Sequence, residues 1–79
     1  MPRQTVLIVD DEKGIVEVVR DYLLNAGFHV LEAYNGRDAL ALFDQMAPDL
    51  LILDLMLPDI TGEEVCRVIR RKSRVPIIM

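Results

Sequence analysis

Three aspartates stand directly after apolar runs that have the composition of buried β-strands. Asp10 and Asp11 follow Thr5–Val9, and Asp54 follows Leu50–Leu53. If these two strands are neighbours in a parallel sheet, the three carboxylates meet at the edge formed by the carboxyl ends of the strands. Bare carboxylates at that spacing would repel one another, and a hard divalent cation relieves the repulsion.

The ligand type and number then favour one kind of chemistry. Oxygen-only donors suit Mg²⁺ better than zinc, and Mg²⁺ commonly keeps several waters while taking one or two carboxylates and a phosphate oxygen. The pattern therefore predicts a site with room for a phosphoryl group. A carboxylate held beside such a metal can itself attack phosphorus and form an acyl phosphate.

The elements that must position these aspartates alternate between strand and helix. Strands are predicted at Thr5–Val9, Phe28–Ala33 and Leu50–Leu53, with a fourth beginning in Val75–Met79. Helices are predicted at Glu12–Ala26, from Gly36 to about Ala47, and from Thr61 to about Lys72. This β-α-β-α-β-α-β order implies an α/β fold, with a parallel sheet covered by helices on both faces.

Each predicted helix has an apolar face and end signals. The inner faces are predicted to be Ile15, Val18, Val19, Tyr22, Leu23 and Ala26 in the first helix, Ala39, Leu40, Phe43 and Met46 in the second, and Val65, Val68 and Ile69 in the third. Gly27 fits a left-handed C-terminal cap, Asn35 an N-cap, and Pro48 a stop. Thr61 and Glu64 have the spacing of a capping box.

Composition excludes several classes of protein. The chain has 79 residues, 52% of them hydrophobic, and a formal charge of −4, which fits one compact domain and gives no support for nucleic-acid binding. Its apolar runs are too short for a membrane span, and one cysteine, Cys66, forms no internal disulfide. Met1–Thr5 lacks the pattern of a secretory signal, so we expect a cytoplasmic location.

The acidic motifs resemble those of a known family. Val6–Glu12 (VLIVDDE), Leu50–Pro58 (LLILDLMLP) and Asp59–Gly62 (DITG) look like the receiver domain of a bacterial two-component response regulator, and the resemblance covers the whole chain. It implies a flavodoxin-like (CheY-like) doubly wound parallel sheet with strand order 2-1-3-4. It also implies a phosphorylated signalling domain and not a conventional enzyme.

The resemblance assigns roles to individual residues. Asp54 would be the phospho-acceptor, taking a phosphoryl group from a sensor histidine kinase. Asp11 would bind Mg²⁺ directly, Asp10 mainly through water, and the backbone carbonyl of Met56 would complete the protein's share of the ligands.

Further implications concern the loop and the end of the chain. Pro58 and Gly62 would shape the loop after Asp54. Family members carry a Ser or Thr after the fourth strand and a Lys after the fifth, whereas this sequence ends at Met79. We therefore expect residues 1–79 to be the N-terminal portion of a receiver domain, lacking the fifth strand and last two helices and impaired in phosphotransfer. The open edge at Val75–Met79 is expected to promote self-association.

Simpler interpretations stay open. Asp10 and Asp11 could cap a helix, and Asp54 could be a solvated turn residue. The chain could be a receiver-like binding module that is never phosphorylated, or an inactive fragment.

The residues argue against one class of enzyme. A phosphatase with an aspartyl nucleophile would need a second aspartate where Met56 stands. The loop Leu57–Gly62 resembles that of regulators with a DNA-binding output domain, so such a domain could follow.

Overall fold

The computed structural model describes residues 3–79 and alternates strands with helices throughout. The strands are β1 (Thr5–Val9), β2 (His29–Ala33), β3 (Leu50–Leu53) and β4 (Ile77–Ile78), and the helices are α1 (Lys13–Asn25), α2 (Gly36–Met46) and α3 (Gly62–Arg70). All strand pairs are parallel and the sheet order is β2-β1-β3-β4. The predicted α/β class, element order and strand order are therefore confirmed.

The register brings the ends of β1 and β3 to the same level. Val9 pairs with Leu53 on one side and with Ala33 on the other. The ladder continues one step further, because the Asp54 amide donates to the Val9 carbonyl at 2.9 Å and the Asp10 amide donates to the Ala33 carbonyl at 3.1 Å. Asp10 and Asp54 therefore leave the sheet side by side.

Helices cover the sheet on both faces, and the sheet divides the core into two clusters. Under α2 and α3 the core consists of Leu7, Val9, Ala33, Ala39, Phe43, Leu51, Leu53, Val65 and Ile69. Under α1 it consists of Val6, Ile8 and Val16, with half-buried residues such as Val19, Leu23, Leu50 and Ile52 packed against it. Burial of these side chains holds the strand ends that carry the aspartates.

The predicted inner face of α1 is partly wrong. Val16 is fully buried, whereas Ile15, Val18 and Tyr22 are 47%, 68% and 79% exposed, and Ala26 is exposed as well. Two adjacent apolar stripes run along this helix, and spacing alone does not tell which one faces the sheet. In the structure α1 is oriented with Val16 facing the sheet, and Arg20 pairs with Glu32 of β2 at 3.2 Å.

Two other predictions need correction. Met46 is 53% exposed, because it ends α2 just before Ala47 takes a left-handed φ of 45° and the chain turns away at Pro48. The strand predicted within Val75–Met79 is limited to Ile77–Ile78, since Pro76 has no amide hydrogen to extend the ladder.

The predicted helix caps are confirmed. Asn35 accepts from the Asp38 amide at 2.8 Å at the start of α2, and Gly27 has a left-handed φ of 94° after the end of α1.

The helices are short. The longest, α1, has 13 residues, and within residues 3–79 none combines the length and apolarity that crossing a bilayer requires.

Candidate functional site

Three carboxylates converge beyond the carboxyl ends of β1 and β3. One oxygen each of Asp10, Asp11 and Asp54 can be chosen so that all three lie within 4.8 Å of one another. Asp10 and Asp54 are half-buried and Asp11 is exposed, so the cluster opens to solvent. The sequence prediction that these residues meet is confirmed, because β1 and β3 pair directly.

Two carboxylates of the cluster also make local bonds. Asp10 Oδ1 accepts from the Glu12 amide at 2.9 Å, and Asp54 Oδ1 accepts from the Met56 amide at 3.3 Å. The N-cap residue of α1 is Glu12 and makes no side-chain cap bond, so neither Asp10 nor Asp11 caps this helix in the expected manner. Each local bond uses one oxygen and leaves the second oxygen of that carboxylate for another ligand.

The donor set fits a hard divalent cation. Three carboxylates supply only oxygen, which suits Mg²⁺, and the exposure of Asp11 leaves room for the waters that Mg²⁺ retains. A cation here would also offset the repulsion among three negative charges.

The loop after Asp54 returns closely onto the end of β3. The Gly62 amide donates to the Leu55 carbonyl at 2.9 Å, and a Cβ on Gly62 would clash with the backbone carbonyl oxygen of Asp54. The Thr61 hydroxyl accepts from the Glu64 amide at 3.1 Å and so caps α3. The Glu64 carboxylate pairs with Arg67 at 2.8 Å, so only the threonine half of the predicted capping box is present.

Sequence reasoning missed the role of Asp59. Its carboxylate accepts from the amides of Gly36 at 2.8 Å, Arg37 at 2.9 Å and Ile60 at 2.8 Å. Partial desolvation raises the pKa of Asp59, but these backbone hydrogen bonds outweigh it and lower the pKa to about 2.

From the sequence alone, an aspartate after a proline is interpreted as a turn residue. The start of α2 held a signal that Asp59 has another role: Asn35 accepts from the Asp38 amide, which leaves two further backbone amides of the first turn in need of acceptors.

Other polar residues lie away from the cluster. His29 is exposed and pairs in register with Thr5, at the opposite end of β1 from Asp10. Cys66 is half-buried and packs against the core under α2 and α3. Neither residue belongs to the acidic cluster.

The fold and sequence match solved receiver structures. The response regulator protein TrrA from Thermotoga maritima, in complex with Mg²⁺-BeF, is 39% identical with a TM-score of 0.90, over 96% of this chain and 67% of that one. The chemotaxis response regulator CheY4 of Vibrio cholerae is 35% identical with a TM-score of 0.92, over 96% and 66%. TrrA in complex with the histidine kinase ThkA is 39% identical with a TM-score of 0.88, over 94% and 65%.

These matches define the family. The chain spans about two thirds of the length of these solved structures. The family model of the response regulator receiver domain matches residues 6–79, which is nearly the whole sequence. The parallel sheet, the acidic cluster at its edge and this match lead to one conclusion: the chain belongs to the response regulator receiver domain family.

Proposed function

We propose that this chain accepts a phosphoryl group on Asp54, with Mg²⁺ held in the acidic cluster. The observation that carries the proposal is the convergence of Asp10, Asp11 and Asp54 within 4.8 Å at one edge of the sheet. The Mg²⁺-BeF complex of TrrA supports the same chemistry for this chain.

The proposed reaction is a direct transfer to a carboxylate. An oxygen of Asp54 forms a bond to phosphorus while the bond from phosphorus to the donor breaks, and the electron pair of that bond leaves with the donor. When the donor is a phosphohistidine, the leaving group is the imidazole, which takes up a proton from solvent. Asp54 is suited to this attack because the Met56 amide donates to Oδ1 at 3.3 Å, which leaves Oδ2 as the second acceptor atom of the carboxylate.

The proposed metal ligands are those that the sequence predicts, and they include the carboxylate of Asp54. Asp11 would bind Mg²⁺ directly, Asp10 mainly through water, and the Met56 carbonyl would join them, while Pro58 shapes the loop that presents it. When bound, the ion offsets the charge of the carboxylates and of the phosphoryl oxygens.

We propose a sensor histidine kinase as the partner. The complex of ThkA with TrrA supports this, since TrrA shares 39% identity with this chain. Three statements stay predictions: a cytoplasmic location, the assignment of residues 1–79 to the N-terminal portion of a receiver domain, and a DNA-binding output domain further along.

Acetyl phosphate provides a kinase-free test of the main proposal. The chain is incubated with acetyl phosphate and Mg²⁺, and intact-mass spectrometry measures phosphoryl incorporation and its removal by hydroxylamine. We expect one hydroxylamine-labile phosphoryl group on the wild type and on the control Asp49→Asn, and none on Asp54→Asn. Asp49 is a suitable control because its carboxylate accepts from the Thr5 amide at 2.8 Å, far from the cluster.

The second candidate is a binding module that is never phosphorylated, or an inactive fragment. The same experiment separates it from the main proposal. Equal, negligible incorporation in wild type and Asp54→Asn would favour the second candidate.

We also propose that a polypeptide of these 79 residues self-associates through β4. This strand ends the sheet order, and Ile78 and Met79 are 56% and 52% exposed. Ile78→Lys should shift the polypeptide towards monomer in analytical ultracentrifugation, whereas a wild type that sediments as a monomer at all concentrations would contradict the proposal.

A further inference from the structure

The Asp59 carboxylate joins two separate parts of the fold. It lies in the loop between β3 and α3, yet Oδ1 accepts from the Gly36 amide at 2.8 Å and Oδ2 from the Arg37 amide at 2.9 Å. Asn35 accepts from the Asp38 amide at 2.8 Å. The first three amides of α2, which have no acceptor within the helix, are therefore all bound by side chains.

Packing reinforces this contact. Ile60 lies directly against Gly36, where a Cβ would clash with the Ile60 side chain, and Ile60 also packs on the core under α2 and α3. Asp59 Oδ1 additionally accepts from the Ile60 amide at 2.8 Å, which fixes the loop's own conformation at this point. The negative charge stands at the N-terminus of α2, where the helix dipole favours it.

The loop is thus held at two places, with Met56 between them. One is the contact of Asp59 with α2, and the other is the bond from the Gly62 amide to the Leu55 carbonyl at 2.9 Å. We propose that Asp59 is a positioning residue: by anchoring residues 55–61 on the N-terminus of α2, it fixes the backbone of Met56 beside Asp54. The inference rests on the proposed function only for the consequence that Asp59 strengthens Mg²⁺ binding.

Hydrogen exchange of backbone amides, measured by NMR, tests the anchoring itself. In Asp59→Ala we expect exchange to accelerate about tenfold or more at Gly36 and Arg37, and also at Gly62 across the loop. The matched control is Asp49→Ala, which removes a carboxylate-to-amide bond at the opposite end of the strands and should leave these amides unchanged. Acceleration at Gly36 and Arg37 without any at Gly62 would make Asp59 a helix cap only and overturn the inference.

Mg²⁺ affinity, measured by calorimetric titration, tests the consequence. We expect Asp59→Ala to weaken Mg²⁺ binding by about tenfold, because groups that orient metal ligands typically act on this scale. Asp59→Asn keeps one oxygen acceptor and should recover part of the loss, which also provides a folded variant if Asp59→Ala unfolds. Equal weakening in Asp59→Ala and Asp49→Ala would indicate a general loss of stability and contradict the inference.

The two proposals fail in different ways. If the wild type binds no Mg²⁺ and takes up no phosphoryl group, the proposed function is wrong. Amide exchange at Gly36 and Gly62 then still decides whether Asp59 anchors the loop, since that readout needs no metal.

Discussion

Gly62 offers a direct test of how closely α3 approaches the end of β3. A Cβ built on Gly62 would meet the Asp54 carbonyl oxygen, the Leu55 Cα at 2.9 Å and the Asp54 carbonyl carbon at 3.0 Å. All three are backbone atoms, which cannot rotate out of the way as a side chain can. Overpacking of this kind costs about 1–3 kcal/mol, against a gain of about 0.5–1 kcal/mol for alanine over glycine in a helix.

Gly14 supplies the matched control, because it also stands in the first turn of a helix. A Cβ on Gly14 would meet no atom within 4 Å, so Gly14→Ala should stabilise the fold by about 0.5–1 kcal/mol. We expect Gly62→Ala to lower the free energy of unfolding, leaving the two variants about 2 kcal/mol apart. Urea unfolding followed by far-UV circular dichroism measures this difference. Equal stabilisation by both substitutions would refute the close approach of α3 to Asp54.

Three further predictions concern charged groups. Asp11→Ala should weaken Mg²⁺ binding more than Asp10→Ala in a calorimetric titration, and equal losses would contradict the assignment of the direct ligand. Because the pKa of Asp59 is lowered from 3.8 to about 2, its ionised form stabilises the fold above the ordinary pKa, and this contribution is lost as the pH falls towards 2. Asp59→Asn should therefore flatten the loss of stability between about pH 4 and 2 in acid unfolding curves. The Tyr34 hydroxyl donates to Glu32 and lowers the pKa of that carboxyl, so Tyr34→Phe should raise the Glu32 pKa in an NMR titration.

The sequence was sufficient for the strands, the helices and the edge at which each aspartate lies, because these depend on short-range patterns. The acidic cluster depends in addition on the long-range pairing of β1 with β3, which only the resemblance to receiver domains implied. The buried faces of the helices were harder to predict. In α1 there are two apolar stripes, and the stripe that faces the sheet is the one whose burial goes with the pairing of Arg20 and Glu32. Asp59 was missed for the same physical reason, since its partners Gly36 and Arg37 are 23 and 22 residues away and only the folded chain brings them together.

The central claim is that Asp10, Asp11 and Asp54 together hold a divalent cation. Paramagnetic broadening by substoichiometric Mn²⁺ in an amide NMR spectrum tests it most directly. We predict that resonances of residues 10–12 and 54–56 broaden first and recover when excess Mg²⁺ is added, while Thr5 and Asp49 at the opposite end of the strands stay sharp. Uniform broadening across the chain, or broadening that Mg²⁺ does not reverse, would contradict the account.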